Sequence, residues 1–321
     1  MPRFIDKLSD VSSIYIHDGR FHFDEILACA FLRIAGCIAP IIRTRSLPED
    51  EHALYVDVGG KYDGERCFDH HQEKAPERTE YYTLEKEITK TPYCAAGQIW
   101  SRLGPELAEQ YLPALPAEQK RFFSTVDQKL VMPTDYDDNG VEWKRSGEEL
   151  TLSEIVTSGN SADLNDSQKQ NEAFFRTLKA VVALVEGYVC STAAELCGEK
   201  CVRECFENAY RVGMDYVQLT EEAKAPWRKI LVEDDDLWQK SARFKAVVSA
   251  PSAQGTWSIS MLPLSRTERF TNRYSLPPHL KERFPEFIFI HPNGFMGVLA
   301  SMANLRAILD QLTPAAPRDP R

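Results

Sequence analysis

The sequence predicts an α/β protein: a parallel-sheet domain over residues 1–160, a helical connector over 161–212 and a smaller α+β domain over 213–321. Three features carry this expectation. Between residues 14 and 58, short apolar runs alternate with a segment of helical periodicity, the pattern of a parallel sheet crossed by helices. A polar stretch without periodicity, 157–167, reads as a linker or helix cap and leads into a long helical pattern. Beyond it, β-prone runs return on either side of the turn Ser252-Ala253-Gln254-Gly255.

Ile14-Tyr15-Ile16 is a short strand closed by the polar turn His17-Asp18-Gly19-Arg20. Ile26, Leu27, Ala30, Phe31 and Ile34 then recur at spacings of three and four, one face of a helix that Gly36 caps. Ile41-Ile42 and Leu54 to Val58 supply two more strands, each followed by a charged or Gly-rich turn. Residues 94–103 and 117–130 read as helices, after which Pro133 breaks the pattern and Asp135 to Gly140 form an acidic turn. In the connector Phe174, Leu178, Val181, Val182, Val185 and Val189 share one helical side. Strands at 246–248, 257–261 and 287–290 and a last helix at 303–312 complete the chain, with no repeat at a solenoid period.

Composition narrows the class. Apolar residues make up 43% and charged residues 27%, a soluble globular balance, and no run approaches the roughly 18 apolar residues of a membrane span. The N-terminus lacks an apolar segment followed by a small-residue cleavage site, so an intracellular protein with eight reduced cysteines is expected. A net charge of −10 argues against non-specific coating of nucleic acid, which rests on Lys and Arg. A local basic groove remains compatible with it.

Chemistry concentrates in three places. Asp69-His70-His71, followed by Gln72, sets three proton- or metal-competent groups side by side, too polar a cluster for a core. His17, His22 and Asp24 lie upstream, and Asp57 ends the run Leu54-Tyr55-Val56. Together they form a carboxylate and imidazole set suited to two divalent metals, with Asp57 the natural bridge, and phosphoryl transfer is the chemistry such a set serves. His17, Asp57 and Asp69 fall after strands, where open parallel sheets collect ligands.

The stretches His17 to Glu25, Val56-Asp57-Val58-Gly59-Gly60 and Asp69-His70-His71-Gln72 resemble the signatures of the melanocyte-proliferating-gene family, within the DHH phosphoesterase superfamily. Ala95-Ala96-Gly97 with Trp100, Asp135 to Gly140, Pro226-Trp227-Arg228 and the segment from Phe289 to Phe295 follow in the family's order. The resemblance implies a DHH-like metal domain joined by helices to a smaller domain that grips substrate. It implies two divalent ions, Mn2+ or Mg2+, and a 3′ to 5′ exonuclease acting on RNA. By motif position, His17, His22 and Asp57 hold one ion, while Asp24, Asp57, His70 and Asp135 hold the other. His71 faces the scissile phosphate, and Asp69 orients a histidine. Family members are associated with nucleus and mitochondrion; the sequence itself favours cytoplasm or nucleus and leaves oligomeric state open.

The chain departs from the family in two places. Arg20 stands where a small hydroxyl residue is expected, a fixed cation able to clamp a phosphate. Gly297 is followed by Val298-Leu299-Ala300 where the family has a second glycine and a polar loop. Substrate contacts in the C-terminal part are expected from Arg273, which matches a family arginine, with Arg266, His291 and Gly294. The strip Arg266, Arg269 and Arg273 also reads as a salt-bridged face. Cys197, Cys201 and Cys205, four apart on one helical face, read as small buried side chains in preference to a zinc site. RNA, another phosphate ester such as pyrophosphate, or no substrate at all in a degenerate scaffold are the competing functions.

Overall fold

Ile14-Tyr15-Ile16 forms β1 (Ile14–Ile16) of a four-stranded sheet in the computed structural model, which describes residues 3–72, 75–78, 90–141, 150–223, 226–267 and 271–314. Its partners are β2 (Ile41–Arg43), β3 (Leu54–Val56) and β4 (Cys67–Phe68), in the order β2-β1-β3-β4 with every pairing parallel. Helix α1 (Phe23–Ile34) lies between β1 and β2 in the chain, and its residues Phe23 to Leu32 are all buried. The chain adds β2 on one side of β1 and β3 on the other. Strand order therefore reverses between β1 and β3, and the crevice beyond their carboxyl ends is where such sheets take ligands.

Three further helices follow: α2 (Ala95–Tyr111), α3 (Pro116–Val126) and α4 (Met132–Asp138). Trp100 on α2 fills the core between them, 4.8 Å from the Phe31 ring and stacked on Phe123. The acidic segment from Asp135 is thus helical to Asp138 instead of a turn. Between α3 and α4 the chain widens into a π turn, Asp127–Val131, in which the Met132 N–H reaches back to the Asp127 carbonyl. Pro133 then stands in the first turn of α4, where its missing N–H costs nothing.

Helix α5 (Leu152–Thr157) precedes α6 (Ser167–Arg211), whose 45 residues bury Phe174, Leu178, Val181, Val185 and Val189, with Val182 half-buried. Part of α6 is long and apolar enough to cross a membrane by length and composition, which corrects the expectation that no such run exists; 33% of that stretch is buried in the fold. Chain contacts divide the protein into two units, Met1–Ala193 and Ala194–Arg321, with the boundary inside this helix.

The second unit holds a five-stranded sheet of β5 (Tyr216–Gln218), β6 (Ala246–Val248), β7 (Trp257–Met261), β8 (Phe287–Ile290) and β9 (Met296–Leu299), in the order β8-β9-β7-β6-β5. Only β5 and β6 pair in parallel. One cluster around Phe206, Leu231 and Phe244 and another around Ile259, Leu276 and Ile308 form its core. Gly297, Val298 and Leu299 lie within β9, and Leu299 is fully buried, so the apolar departure from the family pattern is a core strand. Cys205 is buried, Cys201 half-buried and Cys197 exposed, and all eight cysteines are unpaired.

Candidate metal centre

His17 follows β1 directly, Asp57 follows β3 and Asp69 follows β4, so three parallel strands deliver their next side chains to one edge of the sheet. Asp57 has φ 53°, the left-handed region that Asp tolerates better than most residues, and its chain turns away at once. Helix α1 supplies the second wall. His22 is its N-cap, and both Glu25 oxygens accept the His22 N–H at 2.9 Å in a capping box. Helix α4 supplies Asp138 from its last position.

These elements gather eight side chains into one cluster. Ligand-type atoms lie within 4.8 Å of one another in each of four overlapping groups: His17, His22 and Glu25; Asp24, Glu25 and Asp57; His22, Asp24 and Asp138; Asp57, His70 and His71. His17 Nε2 is 3.0 Å from Glu25 Oε1 and 3.3 Å from Asp57 Oδ2, while its Nδ1 sits 2.9 Å from the Asp18 carbonyl. His70 Nε2 is 3.4 Å from Asp57 Oδ1 and 3.1 Å from Asp138 Oδ2. Asp57 therefore has His17 at one oxygen and His70, with His71 at 3.7 Å, at the other.

Electrostatics here are unbalanced. Both carboxylate oxygens of Asp24 are buried without a hydrogen-bond donor, as are Asp57 Oδ1 and Asp138 Oδ2. Burial, then the charges of Asp57, Asp138 and Glu25, push the Asp24 carboxyl well above its usual range. Burial also raises Asp138, only partly opposed by His70. Asp57 goes the other way: burial acts to raise it, but the His17 and His70 imidazoles beside it hold it below the usual carboxylate range. Burial acts to lower His17, yet Asp57 and Glu25 outweigh it and bring the imidazole up to about 10. Buried carboxylates without donors are costly unless a cation meets them. The donor set of oxygens and imidazoles fits divalent ions of the Mn or Mg kind.

Several expected residues sit elsewhere. Asp135 lies outside this cluster: fully buried, it accepts from Arg78 Nε–H and from the Cys94 N–H. Arg78 also donates to both Asp127 oxygens at 2.7 Å. Gly97 makes room for this, since a Cβ there would stand 2.3 Å from Asp135 Oδ1. Asp138, one helical turn on, faces His70 in its place. Glu25, the last residue of the first motif, also lies within the cluster. Its signal was the capping-box spacing from His22.

His71 and Asp69 form a pair of their own. Asp69 Oδ1 accepts the His71 N–H at 3.1 Å and lies 2.7 Å from its Nδ1. The His71 side chain is 63% exposed against 9% for His70, so His71 faces the open side. A cavity of about 280 Å3 above the cluster is walled by His17, His22, Asp57, Gly59, His71 and Arg45. Arg20 is exposed and is not part of that wall; Arg45, held at 3.1 Å by Asp18, is the cation there.

The C-terminal residues are already engaged. Arg273 donates to the Pro263 carbonyl, the Ser241 carbonyl and the Ser241 hydroxyl, and lies over Trp238. Arg266 pairs with Asp235, and Arg269 falls outside the described residues. His291 Nδ1 accepts the Asn293 N–H in the β8–β9 turn, and its ring packs 4.2 Å from Phe295. Gly294 has φ 65° in that turn, with no space for a Cβ beside Ser275 and Leu276.

Fold and site together define a parallel α/β protein with a carboxylate–imidazole cluster at the carboxyl ends of its strands. The chain belongs to the MYG1 family: residues 13–311 match the family described as Uncharacterised protein family (UPF0160). It is 29% identical to the MYG1 protein C694.04c of Schizosaccharomyces pombe, across 90% of this chain and 94% of the relative. It is 28% identical to the human MYG1 exonuclease, across 91% of this chain and 83% of that protein. The bovine MYG1 exonuclease is 29% identical over 88% of the chain and 79% of its own length.

Proposed function

We propose that this chain is a phosphodiesterase of DHH-like arrangement that binds two divalent ions and trims RNA from its 3′ end. The observation that carries the reading is the set of buried Asp24, Asp57 and Asp138 oxygens without donors, placed beside His17 and His70. His17, His22 and Asp57 would hold one ion, and Asp24, Asp57, His70 and Asp138 the other. Glu25 supports His17 at 3.0 Å. Bound ions of this kind polarise phosphoryl oxygens and lower the pKa of water.

The protein's own groups then divide the remaining work. Asp69 holds His71 at Nδ1, which leaves Nε2 to meet a phosphoryl oxygen. Arg45, on the wall of the same cavity, meets negative charge on the substrate. The names of the bovine and human relatives, both exonucleases, support the nuclease reading. Eight unpaired thiols support an intracellular location.

Purified protein with Mn2+ and a 5′-labelled single-stranded oligoribonucleotide should yield a ladder shortened from the 3′ end. Release of orthophosphate from pyrophosphate, with the oligonucleotide intact, would sink the nuclease reading in favour of a small-molecule phosphatase.

A further inference from the structure

Parallel sheets are ordinarily covered on both faces, and among the described residues one face of this sheet is covered less completely than the other. Ile14, Ile16, Leu54 and Val56 point to one side and are buried. Ile42, Tyr15, Tyr55 and Cys67, in register across the four strands, point to the other and are half-buried or exposed. Tyr15 and Tyr55 stack there with ring centroids 5.5 Å apart. A cleft of about 680 Å3 opens on this second face at Tyr55 and Cys67. Val58 and Gly59 wall both this cleft and the cavity over the metal centre, so the two are neighbours.

We propose that this cleft is a subsite for the terminal nucleoside of a polynucleotide whose scissile phosphate lies at the Asp57 cluster; the inference rests on the phosphodiesterase reading. Its volume falls in the range of small-molecule sites. Leu47, Pro48 and Val58 offer apolar surface to a base. Tyr55 is fixed by its hydroxyl, which donates to the Pro48 carbonyl at 2.5 Å and accepts the Asp50 N–H at 3.1 Å. Gly59 and Gly60, at φ 99° and 62°, put no side chain between Asp57 and the cleft.

The rim selects an end. Asp50 is occupied by the Ser12 hydroxyl and the His52 N–H, and Arg66 donates to the Asp50 carbonyl. Glu49 and Glu51 then stand against Lys61. Carboxylates accept from ribose hydroxyls and base N–H groups, but they repel phosphate. A nucleoside with a free 3′-hydroxyl enters such a cleft, whereas an internal nucleotide brings the next phosphate with it. Release from the end of a strand follows from this charge arrangement.

Calorimetry on the full chain with Mn2+ tests the subsite without relying on turnover. A nucleoside 5′-monophosphate should bind about tenfold or more tighter than inorganic phosphate, and Leu47→Trp, which fills the cleft, should erase that preference while phosphate affinity stays unchanged. Nucleotide bound no tighter than phosphate, or equal loss of both ligands in the variant, overturns the subsite. A 3′-phosphorylated nucleotide should bind about tenfold more weakly than its 3′-hydroxyl counterpart, with Glu49→Gln and Glu51→Gln together closing the gap. This second comparison stands even if Leu47→Trp does not fold, and equal affinity for the two ends in the unmodified protein overturns end selection. Protein that passes both tests yet leaves oligoribonucleotides intact keeps the subsite and loses the proposed reaction.

Discussion

The carboxylates at the strand ends of the first unit and the arginines Arg266 and Arg273 of the second unit are satisfied to opposite degrees. Asp24, Asp57 and Asp138 keep buried oxygens with no donor. Arg273, the cation in the second unit best matched to a family position, spends its guanidinium on Ser241 and Pro263. The same contrast recurs at close range on α4, where Asp135 is enclosed by Arg78 and Cys94 and Asp138 is left open toward His70. A residue's chemistry alone does not mark a site. What distinguishes the two sets is unmet hydrogen-bonding capacity in a buried place, which a bound cation would complete.

The hardest test of this contrast is at Asp57. Asp57→Asn keeps the shape and the tolerance for positive φ but removes the charge between His17 and His70. Loss of bound Mn2+ by mass spectrometry and a fall in phosphodiesterase turnover of about a thousandfold, about 4 kcal/mol of barrier, are expected. Full metal occupancy in that variant would falsify the bridging role.

Next comes the pair on α4. Asp135→Asn leaves the buried Arg78 with Asp127 as its remaining acidic partner among the described residues and should cost about 3 kcal/mol in denaturant unfolding with metal content preserved. Asp138→Asn should do the reverse, lowering metal content with little loss of stability. Metal loss in the Asp135 variant alone would return the ligand role to Asp135.

His70 and His71 are adjacent in sequence and differ in exposure. His70→Ala should lower metal occupancy, whereas His71→Ala should spare it and slow turnover by about a hundredfold. Equal metal loss in the two variants overturns that division.

How much of this was legible before the fold was known depends on distance along the chain. Ile14-Tyr15-Ile16 and Leu54-Tyr55-Val56 are apolar runs that stop at His17 and Asp57, so strand ends and site coincide in the sequence itself. Cys67-Phe68 is too short a run to declare a strand, so β4 is legible only through the placing of Asp69 at a strand end. Asp138 was hidden because Pro133 looks like a helix breaker unless a π turn precedes it. Arg78 meets Asp135 across 57 residues, a pairing no local pattern reveals. Arg20 was the cation adjacent in sequence, but Arg45, brought in by the β1–β2 pairing, is the one on the cavity wall.

Smaller effects refine the comparison. In metal-free protein the His17 pKa of about 10 lies above its ordinary value, so its stabilisation is fully present below about pH 6.5 and is lost as pH rises through 10. The melting temperature in chelator should therefore fall between about pH 7 and 10, and His17→Gln should flatten that slope. An unchanged slope in the variant would assign the effect to other groups. In the second unit, Arg273→Ala should destabilise by about 2 kcal/mol through its unpaired partners, and Arg266→Ala by less than about 0.5 kcal/mol, since its Asp235 partner is 84% exposed. A reversed ranking in thermal unfolding would undo the distinction between an anchored and a surface arginine.

The capping box of α1 gives the site a kinetic property. Glu25 holds the His22 N–H and also reaches His17, so the bend that starts the helix is the same bend that brings a carboxylate to the end of β1. Glu25 thereby couples the first turn of α1 to the His17 end of the donor set. In amide exchange, the His22 N–H should open together with the first turn of α1, and no stable state should hold one without the other.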